Sequence, residues 1–129
     1  MIKQCLTGFQ HIGIPTNDIK ATVDFYKILG FEIVGEEYLE KENCRICFLK
    51  MDTLMLETYE SKDPALKAGA VDHLALDVTD IDVAYNFAKA NGFTILGDKI
   101  TKLPFWTKGI KCFNIEGPNR EKIEFCQIL

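Results

Sequence analysis

The sequence predicts an α+β fold of two paired βαβββ modules, and three observations predict it. The stretch Gln10-His11-Ile12-Gly13-Ile14 is echoed by Asp72-His73-Leu74-Ala75-Leu76, and His11 and His73 are the only two histidines in the chain. Aligning them also pairs Asp18 with Asp80, Ile19 with Ile81, Phe25 with Phe87, Lys27 with Lys89, Gly30 with Gly92, Phe31 with Phe93, Ile33 with Ile95 and Gly35 with Gly97. That register is too long for chance and marks an internal repeat. Each copy also passes from a period-two apolar alternation to a helical one and back.

Residues Leu6 to Ile14 alternate as a strand that carries His11 on the face opposite Ile12, with Pro15 as its stop. Asn17 or Asp18 suits an N-cap, the apolar spacing predicts a helix over 18–29, and Gly30 stands at its C-terminal cap. Strands are expected over Phe31–Glu37, Arg45–Leu49 and Thr53–Tyr59. The last of these sets Leu54 and Leu56 on one face and Met55, Glu57 and Tyr59 on the other. After a connector the pattern restarts: a strand over Ala70–Val78, a helix over Ile81–Ala90 capped by Asp80, and strands over Phe93–Ile100, Ile110–Ile115 and Glu121–Ile128. In the final strand Ile123 and Phe125 alternate with Lys122, Glu124 and Cys126.

The 129 residues, 47% hydrophobic, suit one domain of two repeats, 1–60 and 70–129, joined by a linker at 61–69. A net charge of -4, with no basic cluster on one element, argues against nucleic acid or an anionic membrane as partner and leaves a small molecule. No apolar run reaches the roughly 20 residues of a membrane span, and no signal peptide is visible, so a cytoplasmic location is expected. Five cysteines, an odd number, suit free thiols. Cys44 and Cys47 lie three apart on a strand, facing opposite sides, and read as core or surface thiols rather than a zinc or redox pair. Ser61 is the sole serine and lies in the linker, which excludes a Ser-His-Asp hydrolase, and no phosphate-binding Gly-rich loop follows a strand.

His11, Glu57, His73 and Glu124 hold equivalent places, a histidine on the first strand and a glutamate on the last strand of each repeat. If the sheets cup toward one another, two imidazoles and two carboxylates converge and suit a divalent ion such as Ni, Co, Zn, Fe or Mn. A strand histidine that is merely half-buried, or a solvated glutamate, is the alternative for each residue alone. The matched positions are what favour a shared site. Phe105 and Trp106, on a connector beside Pro104, are a candidate pocket wall or lid, with Met55 beside Glu57; burial as a loop anchor is the alternative for the aromatic pair.

The run His11-x-Gly13-Ile14 with Asp18, then Phe25-Tyr26, Leu29-Gly30-Phe31, Leu54-Met55-Leu56-Glu57, the restart at His73 and the ending Glu116-Gly117-Pro118-Asn119-Arg120-Glu121-Lys122-Ile123-Glu124-Phe125 resemble the vicinal oxygen chelate (glyoxalase/bleomycin resistance/dioxygenase) superfamily over nearly the whole chain. The ligand order His, Glu, His, Glu is similar to that of glyoxalase I, lactoylglutathione lyase. The resemblance implies His11, Glu57, His73 and Glu124 as metal ligands, a homodimer, and proton transfer between adjacent carbons of a hemithioacetal or other α-hydroxycarbonyl compound through an ene-diolate. It also implies Glu124 as the base and Glu57 as its catalytic partner.

The arginine that such enzymes commonly place shortly after the first histidine has no counterpart in Pro15-Thr16-Asn17-Asp18, and the only arginines are Arg45 and Arg120. The thiol half of the substrate is therefore open, with Lys102, Lys108 and Lys111 as point charges or plain surface lysines. Other members of the superfamily are the alternatives: an acyl-thioester epimerase, a dioxygenase, a thiol transferase or a drug-binding resistance protein. Epimerases often carry Gln at the Glu57 position, dioxygenases use three protein ligands, and resistance proteins generally lack the metal set.

Overall fold

The computed structural model describes residues 2–5 and 7–129. The chain falls into two compact units, Met1–Ala65 and Leu66–Leu129. Among the described residues, the first unit holds β1 (Ile12–Thr16), α1 (Ile19–Ile28), β2 (Glu32–Leu39), β3 (Cys44–Met51) and β4 (Leu54–Glu60), after a short 3-10 turn at Ile2–Gln4. The second holds β5 (Leu74–Asp77), α2 (Ile81–Ala90), β6 (Thr94–Leu103), β7 (Ile110–Glu116) and β8 (Lys122–Ile128). Each unit is thus βαβββ. Its four-stranded sheet is ordered β1-β4-β3-β2 in the first unit and β5-β8-β7-β6 in the second. The first strand pairs in parallel with the last, and the remaining neighbours are antiparallel.

Both helices begin where the sequence placed them. The Asp18 carboxylate accepts the Ala21 N–H at 3.0 Å, and the Asp80 carboxylate accepts those of Asp82 and Val83 at 3.0 and 3.1 Å. Each cap satisfies backbone donors that the first helical turn leaves without partners. Gly30 and Gly92 follow the helices at φ +101° and +69°, the left-handed backbone that closes a helix C-terminus. A second glycine requirement appears at Gly109, where φ is +91° and an added Cβ would lie 2.8 Å from the Leu103 carbonyl oxygen.

The helix covers one face of its sheet, and the alternation decides which residues lie beneath it. In the first unit Leu49 and Leu56 are register partners, both with no exposed surface, and they pack in the same buried layer as Ile14, Thr58 and Tyr26. The hydroxyls of Thr16 and Thr22 bond each other at 3.0 Å, which satisfies both polar groups where they are buried. In the second unit Ile115 pairs with Ile123, Phe113 stacks on Phe125 at 5.0 Å, and Tyr85 of α2 meets Phe113 edge-on.

The boundaries depart from the sequence expectation at several strand ends: β2 and β6 run on to Leu39 and Leu103 rather than Glu37 and Ile100, and β3 spans Cys44–Met51 rather than Arg45–Leu49. The expected first strand is shorter: β1 starts at Ile12 and β5 at Leu74, so each histidine sits one residue before its strand rather than within it. Leu6, expected to open the first strand, lies outside the described residues. Pro15 does not stop β1, because β1 is an edge strand and a missing N–H toward the open side costs no ladder bond. Cys44 and Cys47 are both buried free thiols, and Cys44 donates to the Glu60 carbonyl at 3.3 Å.

Candidate functional site

Within each unit, the face turned away from the helix collects one histidine and one glutamate. Gly13 is the register partner of Glu57 in the β1/β4 pair, and Ala75 that of Glu124 in the β5/β8 pair. Two residues upstream of each, the histidine comes onto the same face. His11 Nε2 lies 3.6 Å from Glu57 Oε2, and His73 Nε2 lies 3.9 Å from Glu124 Oε2. All four side chains are partly open to solvent, from 19% for Glu124 to 40% for His73, so neither pair is sealed off from a ligand.

The other ring nitrogen of each histidine is held by the residue just before it. His11 Nδ1 is 2.8 Å from Gln10 Oε1, and His73 Nδ1 is 2.8 Å from Asp72 Oδ2. The oxygen of each partner faces Nδ1, and Nε2 is the ring nitrogen left facing the glutamate. Metal-binding histidines are oriented in this way, with the distal N–H given to a carboxylate or carbonyl oxygen. Asp72 is itself positioned by Lys122 Nζ at 3.2 Å, and the His73 and Lys122 contacts hold its carboxyl below the usual range. Sequence reasoning singled out neither Gln10 nor Asp72. The signal was available, since both immediately precede the matched histidines.

The donor chemistry fits a divalent ion: imidazole nitrogen and carboxylate oxygen, twice over. The structure brings His11 to Glu57 and His73 to Glu124. Among the described residues it gathers no group of three or more His, Cys, Asp or Glu side chains that would hold a metal.

The two pairs differ in what stands across the strand. Glu57 faces Phe48, whose ring meets His11 edge-on with centroids 6.2 Å apart. Glu124 faces Asn114. Leu129 N–H donates to the Gly109 carbonyl and Gly117 N–H to that of Glu121, which marks both as hydrogen-bonded pairs of the β7/β8 ladder. Alternation along the uninterrupted register between them makes Asn114/Glu124 a non-hydrogen-bonded pair, the kind whose side chains approach most closely. Asn114 Oδ1 is buried and has no hydrogen-bond partner, an acceptor awaiting a donor beside the Glu124 carboxylate. Replacing it with the isosteric Asn114→Leu is expected to stabilise the protein by about 1 kcal/mol, the saving of an unmet buried acceptor, as read by urea unfolding.

Met55 lies on β4, half-buried, in register with Lys50. Phe105 and Trp106 occupy the connector between β6 and β7, 51% and 69% exposed, with their rings edge-on at 6.4 Å. Exposure of that extent removes the alternative of an aromatic anchor buried within its own unit. Both arginines lie in exposed surface ion pairs. Arg45 meets Glu60 at 2.6 Å, and Arg120 lies 3.7 Å from Glu116. Among the described residues no helix is long and apolar enough to cross a membrane.

The uncharacterized protein YwbC of Bacillus subtilis (strain 168) is 32% identical to this chain over 124 residues, which span 91% of this chain and 94% of that one. The solved glyoxalase family protein from Enterococcus faecalis is similar with a TM-score of 0.79 and 26% identity, covering 95% of this chain and 98% of its own. The fosfomycin resistance protein FosX from Listeria monocytogenes, complexed with Mn(II) and sulfate, has a TM-score of 0.74 at 14% identity, covering 96% and 94%, a likeness of fold alone. The Glyoxalase/Bleomycin resistance protein/Dioxygenase family model matches residues 8–125, from just before His11 to just beyond Glu124, and the chain belongs to that superfamily.

Proposed function

We propose that the protein is a metal-dependent lyase or isomerase of glyoxalase I type that moves a proton between adjacent carbons of a hemithioacetal or related α-hydroxycarbonyl compound. The observation that carries this is the pair of matched His–Glu sets, each with Nδ1 pinned and Nε2 turned to a carboxylate. His11, Glu57, His73 and Glu124 would hold the ion, with the two units acting as one domain within a cytoplasmic homodimer. A bound divalent ion supplies Lewis acidity, stabilising negative charge on neighbouring substrate oxygens as the C–H bond is broken.

Glu124 Oε2 takes the proton from one carbon and Glu57 returns a proton to the next. Its protonated carboxyl then has an acceptor at hand, because Asn114 Oδ1 stands across the strand without a donor. Glu57 has only the Phe48 ring in that place, and this asymmetry favours Glu124 as the base. Met55, Phe105 and Trp106 are assigned to the substrate pocket. Arg45 and Arg120 pair with glutamates only in exposed surface contacts, so the thiol half of the substrate stays open.

The test is metal content. Protein purified without added metal or a His tag is expected to carry about one equivalent of Ni, Co, Zn, Fe or Mn per site. The His73→Ala variant is expected to bind the same ion at least ~100-fold more weakly, since even outer contacts to metal ligands change affinity by 10- to 100-fold. No metal in either protein after incubation with excess divalent ions would remove the enzyme and leave a cleft that binds by shape.

A further inference from the structure

Cys112 on β7 and Cys126 on β8 are direct register partners, and both are free thiols. The same alternation that sets Asn114 against Glu124 makes Cys112/Cys126 a non-hydrogen-bonded pair, one step further along the ladder. Such pairs bring their Cα atoms to about 4.5 Å, at the short end of the 4.4–6.8 Å that a disulfide spans. Both side chains project to the face that carries Glu124, since each lies two residues from a member of the Asn114/Glu124 pair. Their exposure is unequal: Cys112 is 5% exposed, whereas Cys126 is only half-buried.

We propose that Cys112 and Cys126 form a thiol–disulfide exchange site, in which a small soluble disulfide enters at Cys126 and Cys112 resolves it. Burial and the Glu124 charge push the Cys126 thiol up, which slows the step; once deprotonated, its sulfur attacks one sulfur of the reagent R–S–S–R, forming a mixed disulfide and expelling the first thiolate R–S⁻. The Cys112 thiolate then attacks the Cys126 sulfur, expelling the second. The protein loses two electrons and two protons, and the reagent leaves as two thiols R–SH. With the Cys126 sulfur half-exposed, the bridge is open to attack by a thiol and so to reduction again, as exposed and regulatory disulfides are. The bridge would tie β7 to β8 beside Glu124 and so link the chemistry of that face to the thiol balance around it. The crosslink itself is independent of any metal, and its test stands apart from that of the proposed function.

The full chain, folded by circular dichroism, is incubated with oxidised glutathione, blocked with iodoacetamide and digested with trypsin, which cuts after Lys111, Arg120 and Lys122. The peptides 112–120 and 123–129 are expected to run as one linked species, lighter by two hydrogens than their sum and separated again by dithiothreitol. Cys112→Ser, and Cys112→Ala as a second variant, are expected to stall with glutathione on Cys126. A mixed disulfide that persists on Cys126 in the unmodified protein would overturn the proposal. So would a bridge to Cys5, Cys44 or Cys47 instead, or native thiols that stay alkylatable under conditions where the urea-unfolded chain is oxidised.

Discussion

Glu124→Gln is expected to lower turnover of a methylglyoxal–thiol hemithioacetal by about 10²- to 10⁴-fold, the range that a positioned general base contributes. That corresponds to roughly 3–5 kcal/mol of lost transition-state stabilisation. Glutamine keeps the size of the side chain and one oxygen, so the β8 backbone and the packing beneath it should not move. What disappears is the negative charge and the capacity to take a proton at Oε2. Loss of the ion would mimic loss of the base, so metal content is measured on the same sample, and the assay is repeated with excess metal. A variant that retains metal and stays within a few-fold of the parent would remove Glu124 from the base role. Glu57→Gln in the same assay then decides whether that role belongs to the other unit.

Leu56→Ala is expected to cost about 2–5 kcal/mol of stability, measured as a lower urea midpoint at an unchanged slope. Leu56 has no exposed surface, sits on β4 between β1 and β3, and pairs in register with Ile12 and with Leu49. A cavity there is enclosed by neighbours from both sides and has little room to collapse. Leu56 is next to Glu57 in the chain but on the opposite face, so below the unfolding transition the variant should keep its metal content. Comparable destabilisation with loss of metal would show that the two faces of this sheet are not independent. A cost below 1 kcal/mol would contradict the packing of this layer.

The repeat was legible because it is written in local chemistry. Asp18 and Asp80 cap their helices through oxygens on their own side chains, and Gly30 and Gly92 supply the left-handed backbone that ends them. Strand alternation likewise assigned Leu56 and Ile123 to the core and Glu57 and Glu124 to the other face, because a period of two needs only the sequence. Strand starts were less legible. Whether His11 and His73 fall inside a ladder depends on where β4 and β8 offer partners, which is a matter of pairing and not of propensity.

By itself, then, the sequence determined the superfamily, the paired βαβββ modules and which histidine and glutamate share a face, since all of these follow from periodicity, caps and motif order. Only the tertiary structure decided that Gln10 and Asp72 turn each imidazole, that Asn114 stands across from Glu124 where Phe48 stands across from Glu57, and that Cys112 meets Cys126. Each of those is a relation between side chains set by register or rotamer. Shifting β7 by one residue against β8 would leave every local signal unchanged and yet replace all of the β7 partners, which is why the sequence could not show them.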